Sequence, residues 1–138
     1  MKQRAMVILD GGMGRELQRS GAPFRQPEWS ALALSEAPEA VVGVHAAFIA
    51  AGAQVITSNS YAVVPFHIGA ARFAEEGRQL ANIAGQLARH PAARGAHPVN
   101  VAVSLPPLFG SYRPHLFPPA RAPERLRPLL PGTPPPAP

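Results

Sequence analysis

The chain has 138 residues, 46% of them hydrophobic and 15% charged, enough for one domain with a core but short of the ~250 residues of a closed α/β barrel. Its net charge of +5 is concentrated late: residues 1–90 carry 8 basic and 7 acidic groups, whereas residues 91–138 carry 5 and 1, with no arginine–aromatic stripe of the kind that reads nucleic acid. It contains no cysteine, which excludes disulfides and thiolate metal sites within the chain, and no stretch approaches the ~20 apolar residues that span a bilayer.

Residues 5–9 form an uncharged run containing the β-branched Val7 and Ile8, the pattern of a strand covered on both faces. Asp10 stands at its C-terminal end, followed by Gly11, Gly12 and Gly14. In parallel α/β sheets that edge is where ligands bind, and glycines there let backbone approach a ligand closely. Capping of the next helix is the plainer role for Asp10. A dinucleotide fingerprint fits less well still, because Leu17 stands where its third glycine belongs.

A short helix is expected over 14–19, closed by Ser20-Gly21 and broken by Pro23. Trp29, the lone tryptophan, reads as a cover for one end of the core, with ligand stacking as its alternative. A second helix begins at Glu36-Ala-Pro-Glu39 and lays Val41, Val44, Phe48 and Ala51 along one apolar stripe. His45 lies beside that stripe and reads as a half-buried packing residue. Residues 53–57 form the second strand, and Ser58-Asn59-Ser60-Tyr61 follow at once. These four hydrogen-bonding side chains share the rim on which Asp10 sits, so a polar site is expected there. His67, in the next loop, has no assigned role.

A long helix follows over about 70–90, with Phe73, Leu80, Ile83 and Leu87 on one face and Pro91 ending it. Residues 99–104 form the third strand. Three strands at near-regular intervals, with helical sequence between them, describe consecutive βα units of one parallel sheet and not a closed domain. Beyond residue 105 the character changes, since 14 of 18 prolines lie from residue 91 onward. In that part Arg125-Leu-Arg-Pro128-Leu-Leu-Pro131 matches the arginine-flanked proline spacing read by aromatic grooves.

Asp10-Gly-Gly-Met-Gly14 with Glu16-Leu17, then Trp29-Ser30-Ala31, Ala37-Pro38-Glu39 with His45, Ala51-Gly-Ala-Gln-Val-Ile-Thr57 with Asn59-Ser60-Tyr61, and Val101-Ala-Val-Ser104-Leu occur in one order. Together they resemble the N-terminal part of the homocysteine S-methyltransferases, over roughly residues 5–114. The resemblance implies an α/β fold made of about three βα units of a (βα)8 TIM-type barrel, with residues 1–114 as the partial homocysteine-binding domain and 115–138 as a disordered proline-rich tail. It implies methyl transfer from a donor to the homocysteine thiol, giving methionine, on a zinc ion held by three cysteines of later strands. Asp10, Gly11 and Gly12 would meet the amino-acid end of homocysteine, and Asn59 and Tyr61 would line the same pocket.

Without cysteines the chain reads as a truncated form with no catalytic residue of its own and no bound zinc. It is expected in the cytoplasm, away from nucleic acid and membrane, and prone to self-association through an open sheet edge. Two readings from other classes stay open: a metal-free module binding a small molecule on the Asp10–Asn59 rim, and a non-catalytic interaction fragment.

Overall fold

The computed structural model describes residues 6–106 together with Gly110 and His115. Ala5, the proline-rich tail beyond His115 and the Arg125–Pro131 motif lie outside the described residues.

Seven elements follow in order: α1 (Met13–Arg19), α2 (Leu32–Glu36), α3 (Pro38–Ala50), β1 (Val55–Thr57), α4 (Pro65–Ile68), α5 (Ala70–Ala92) and β2 (Asn100–Ala102). β1 and β2 are parallel, with Val55 opposite Asn100 and Thr57 opposite Ala102. The expected first strand is reduced to an extended segment joined to β1 by one parallel bridge, Leu9 to Val55. There the Asp10 N–H donates to Val55 O at 3.0 Å, and Gln54 N–H donates to Ile8 O at 2.8 Å. The described residues therefore form a mixed α/β fold with the Leu9 segment, β1 and β2 side by side and their C-terminal ends on one rim.

α3 begins at Pro38, which needs no N–H partner at the first helical position. It ends where Gly52 takes a φ of +100°, allowing Gly52 N–H to reach Ile49 O at 2.9 Å and Ala53 N–H to reach Phe48 O at 3.0 Å. That paired closure satisfies last-turn carbonyls and sends the chain straight into β1. α5 runs through Pro91 to Ala92, two residues past the expected stop. A proline so close to the C-terminus forfeits a single helical hydrogen bond, and its ring is buried.

Two apolar clusters hold these pieces together. Leu17, Leu34, Val41, Val44, Val63, Leu80 and Ala84 pack the helices against one another, and Ile49, Ala53, Ile56 and Ala88 pack α3 and α5 onto the sheet. α3 and α5 cover the sheet through the second cluster, whereas Met6, Val7, Ile8 and Leu9 of the extended segment are 89%, 60%, 55% and 64% exposed, contrary to the expectation of a strand covered on both faces. The run is apolar enough for burial, but the described residues leave more than half of each of these residues uncovered.

His45 also departs from expectation. It is not half-buried but wholly enclosed, and Ala51, expected on the apolar stripe, is exposed while Ile49 takes its place in the core.

Candidate functional site

The C-terminal rim of the sheet opens into a cavity of about 610 Å³, within the size range of small-molecule sites. Asp10, Gly11, Met13 and Gly14 come from the first loop, Thr57, Ser58, Asn59 and Tyr61 from the end of β1, and Ser104 from beyond β2. Phe24, Trp29 and His67 add an aromatic wall. Asp10, Gly11, Asn59 and Tyr61 thus meet around one cavity, while Gly12 sits one residue further as the N-cap of α1.

Asp10 is held rather than free to swing. The Thr57 N–H donates to its Oδ2 at 2.6 Å, and the Thr57 hydroxyl donates to Oδ1 at 3.1 Å. Two donors from one residue fix the plane of the carboxylate, and each oxygen keeps a further lone pair for a ligand. Thr57 is the functional residue that sequence reading missed. The available signal was a hydroxyl residue ending the strand beside Asp10.

Gly11 matters through close approach. A Cβ there would stand 3.0 Å from Phe48 Cε1 and 3.2 Å from Cζ, so the Asp10–Gly11 turn rests directly on α3. Asn59 is buried, and its amide N–H donates to Ser30 O at 2.8 Å, tying the Trp29 loop to the end of β1. Behind it, Ser58 and Ser60 hydroxyl oxygens lie 3.0 Å apart, the Ser60 hydroxyl donates to Ser104 O at 3.0 Å, and Ser104 N–H donates to Ser58 Oγ at 3.3 Å. These bonds lock three rim loops into one frame, the preorganisation a binding site requires.

Trp29 does not cap the core. It is 42% exposed, faces the cavity, and adopts a left-handed φ of 51° with its N–H bonded to Arg25 O at 2.7 Å. Such a backbone costs a bulky residue ~1–3 kcal/mol and persists where surrounding structure fixes it, often at ligand sites. Phe24 meets Trp29 edge-on at 5.8 Å between ring centroids, and His67 lies 6.3 Å from Trp29 and 6.5 Å from Tyr61. His67 Nδ1–H donates to Pro27 O at 2.9 Å, which sets that ring's orientation in the wall.

Beneath the Asp10 turn, burial pushes the His45 imidazole below its ordinary value of 6.5, and the Asp10 carboxylate opposes part of that fall. In the unfolded chain His45 takes up a proton near pH 6.5, whereas the folded chain resists it to lower pH. Stability is therefore full above about pH 6.5 and is lost as the pH falls from there toward the folded-state value. Melts recorded between about pH 5 and 8 should show a decline on the acid side that His45→Gln flattens. An identical decline in the variant would contradict the assignment.

The zinc centre that the resemblance implies does not fit this chain. Cysteine is absent from the sequence, and among the described residues no three His, Asp or Glu side chains are grouped to hold a metal. No described helix is long and apolar enough to cross a membrane.

Comparison with known proteins points to one family. Residues 7–123 match the family model described as Homocysteine S-methyltransferase. Homocysteine S-methyltransferase 4 of Zea mays is 33% identical over 119 residues, covering 78% of this chain and 34% of that protein. Selenocysteine Se-methyltransferase of Brassica oleracea var. italica is 44% identical over 55 residues, covering 40% of this chain and 16% of that protein. Among solved structures, the metallated form of the homocysteine methyltransferase MmuM from Escherichia coli superposes with a TM-score of 0.62 at 30% identity, covering 75% of this chain and 39% of that one. The chain thus spans little more than a third, or less, of the proteins it matches.

Proposed function

This chain belongs to the homocysteine S-methyltransferase family, and on that premise we propose that it carries the amino-acid-binding part of a homocysteine site, built on a portion of a (βα)8 barrel. Asp10 accepts the ammonium group of homocysteine, the Gly11 and Gly12 backbone receives its carboxylate, and Asn59 and Tyr61 close the pocket around its side chain. The observation that carries the reading is the Asp10 carboxylate, clamped by two Thr57 donors at the wall of a cavity of about 610 Å³.

Methyl transfer forms a sulfur–carbon bond on homocysteine and breaks the bond from methyl carbon to a sulfonium or ammonium centre, whose electron pair stays with the departing donor. The thiol proton must leave as well, and at a free pKa near ~8.5 most of the thiol is still protonated at pH 7. The zinc that the resemblance implies for the family would keep that sulfur deprotonated. The sequence has no cysteine and the described residues group no three His, Asp or Glu to hold the metal, so the part assigned to this chain is to bind and orient substrate. Phe24 and Trp29 suit a donor whose methyl sits on a cationic centre, because aromatic faces attract cations by ~0.5–2 kcal/mol. The working place of the reading is the cytoplasm, and its product is methionine.

Calorimetric titration of the full chain tests it. Homocysteine should bind saturably, while 4-mercaptobutyrate, which keeps the thiol and carboxylate but lacks the amine, should bind at least ~10-fold more weakly. Equal affinities would remove the assigned role of Asp10.

A further inference from the structure

Both ring nitrogens of His45 are buried without a hydrogen-bond partner, and its side chain is 0% exposed. Unsatisfied buried polar groups are uncommon and call for a cause. An aliphatic residue would fill the same place in α3 without that penalty.

Its position supplies a cause. Phe48, one turn along α3, lies against Gly11, so the helix surface that carries His45 forms the floor of the Asp10 turn. Thr57 fixes the Asp10 carboxylate in place, with the cavity on one side and α3 on the other. The other elements packed on α3 are α1, α2, α5 and β1. β1 carries no ionisable residue. On α1, Glu16 pairs with Arg19 at 3.1 Å and Arg15 is exposed; on α2, Glu36 lies 3.8 Å from Arg25. On α5, Arg72 pairs with Glu76 at 2.8 Å, while Glu75, Arg78, Arg89 and His90 are exposed, as is Glu39 of α3 itself. The charge that acts on His45 is Asp10.

We infer that His45 is a proton-linked positioning residue of the amino-acid site: a ligand ammonium on the cavity side and a proton on His45 compete for the field of Asp10, so each weakens the other. The inference rests on the proposal that Asp10 receives an ammonium group. With the pocket empty, the carboxylate helps His45 hold a proton. When a cation neutralises the carboxylate, that help is lost and His45 is driven further toward its neutral form. By reciprocity, acidification that protonates His45 weakens binding by the same factor, ~10-fold for each pH unit by which the ligand moves the His45 midpoint. A site of this kind loosens its hold on an amino acid as His45 takes up a proton.

The test follows the Cε1–H resonance of His45 through a pH titration of the full chain. Asp10→Asn should lower the midpoint; an unchanged or higher midpoint would overturn the inference. If that variant does not fold, the wild type decides: saturating homocysteine should lower the midpoint and 4-mercaptobutyrate should not, and a midpoint that homocysteine leaves unmoved would overturn it. Homocysteine affinity should fall across the same titration in wild type but not in His45→Gln, a difference that simple loss of packing would not produce. Failure of homocysteine to bind at any pH would reject the functional reading, and the comparison of wild type with Asp10→Asn would still decide the role of His45.

Discussion

Asp10→Ala is expected to weaken homocysteine binding ~10- to 150-fold, the loss of one hydrogen bond to a charged partner, worth ~1.5–3 kcal/mol. The same change should cost ~1–3 kcal/mol of stability, because the Thr57 N–H that donates to Oδ2 at 2.6 Å is left without its acceptor. The two effects separate in Asp10→Asn. An amide oxygen can still accept from Thr57, so most of the stability should return, whereas the missing negative charge keeps affinity low. Titration calorimetry beside denaturant unfolding reads both quantities. Wild-type affinity in Asp10→Asn would show that charge at this position does not hold the ligand.

The full chain should also self-associate. Met6, Val7, Ile8 and Leu9 lie exposed along the sheet edge, and Val103 and Leu105, beyond β2, are 47% and 53% exposed. Exposed edge segments invite pairing with another chain, and each large apolar side chain fully buried contributes ~1.5–3 kcal/mol. Sedimentation velocity over a wide concentration range should therefore show reversible oligomers. Val7→Lys with Leu9→Lys removes two apolar contacts and adds like charges along the edge, which should weaken association by ~100-fold or more. A wild-type chain that stays monomeric throughout would contradict this account of the edge.

Much of the candidate cavity's lining was legible in the sequence, for a reason common to its parts. A polar residue directly after a β-branched run lies at a strand end, and strand ends of parallel neighbours share a rim; that logic placed Asp10, Asn59 and Tyr61 around one cavity. It could not show that Thr57 clamps Asp10, because the bond depends on the register between segments 47 positions apart. Nor could a helical stripe fix the burial of His45. Its angle on α3 left it beside the apolar row, and full enclosure depends on how α1, α2, α5 and β1 pack around that helix, which the helix's own sequence does not encode. Trp29 was misplaced for a local reason: a left-handed φ of 51° turns it toward the cavity, and tryptophan gives no compositional hint of such a backbone. The apolar run at 6–9 signals burial, but composition cannot say whether anything lies over it.

As proposed, this chain holds the substrate-binding part of a methyltransferase site and none of its metal centre. Equilibrium dialysis of the full chain against homocysteine and against zinc, in parallel cells, separates the two. Saturable retention of homocysteine that is lost in Asp10→Ala and indifferent to chelator, with no stoichiometric zinc retained, is the predicted result. Zinc held one-to-one by the cysteine-free chain, or homocysteine retained equally by wild type and Asp10→Ala, would contradict it.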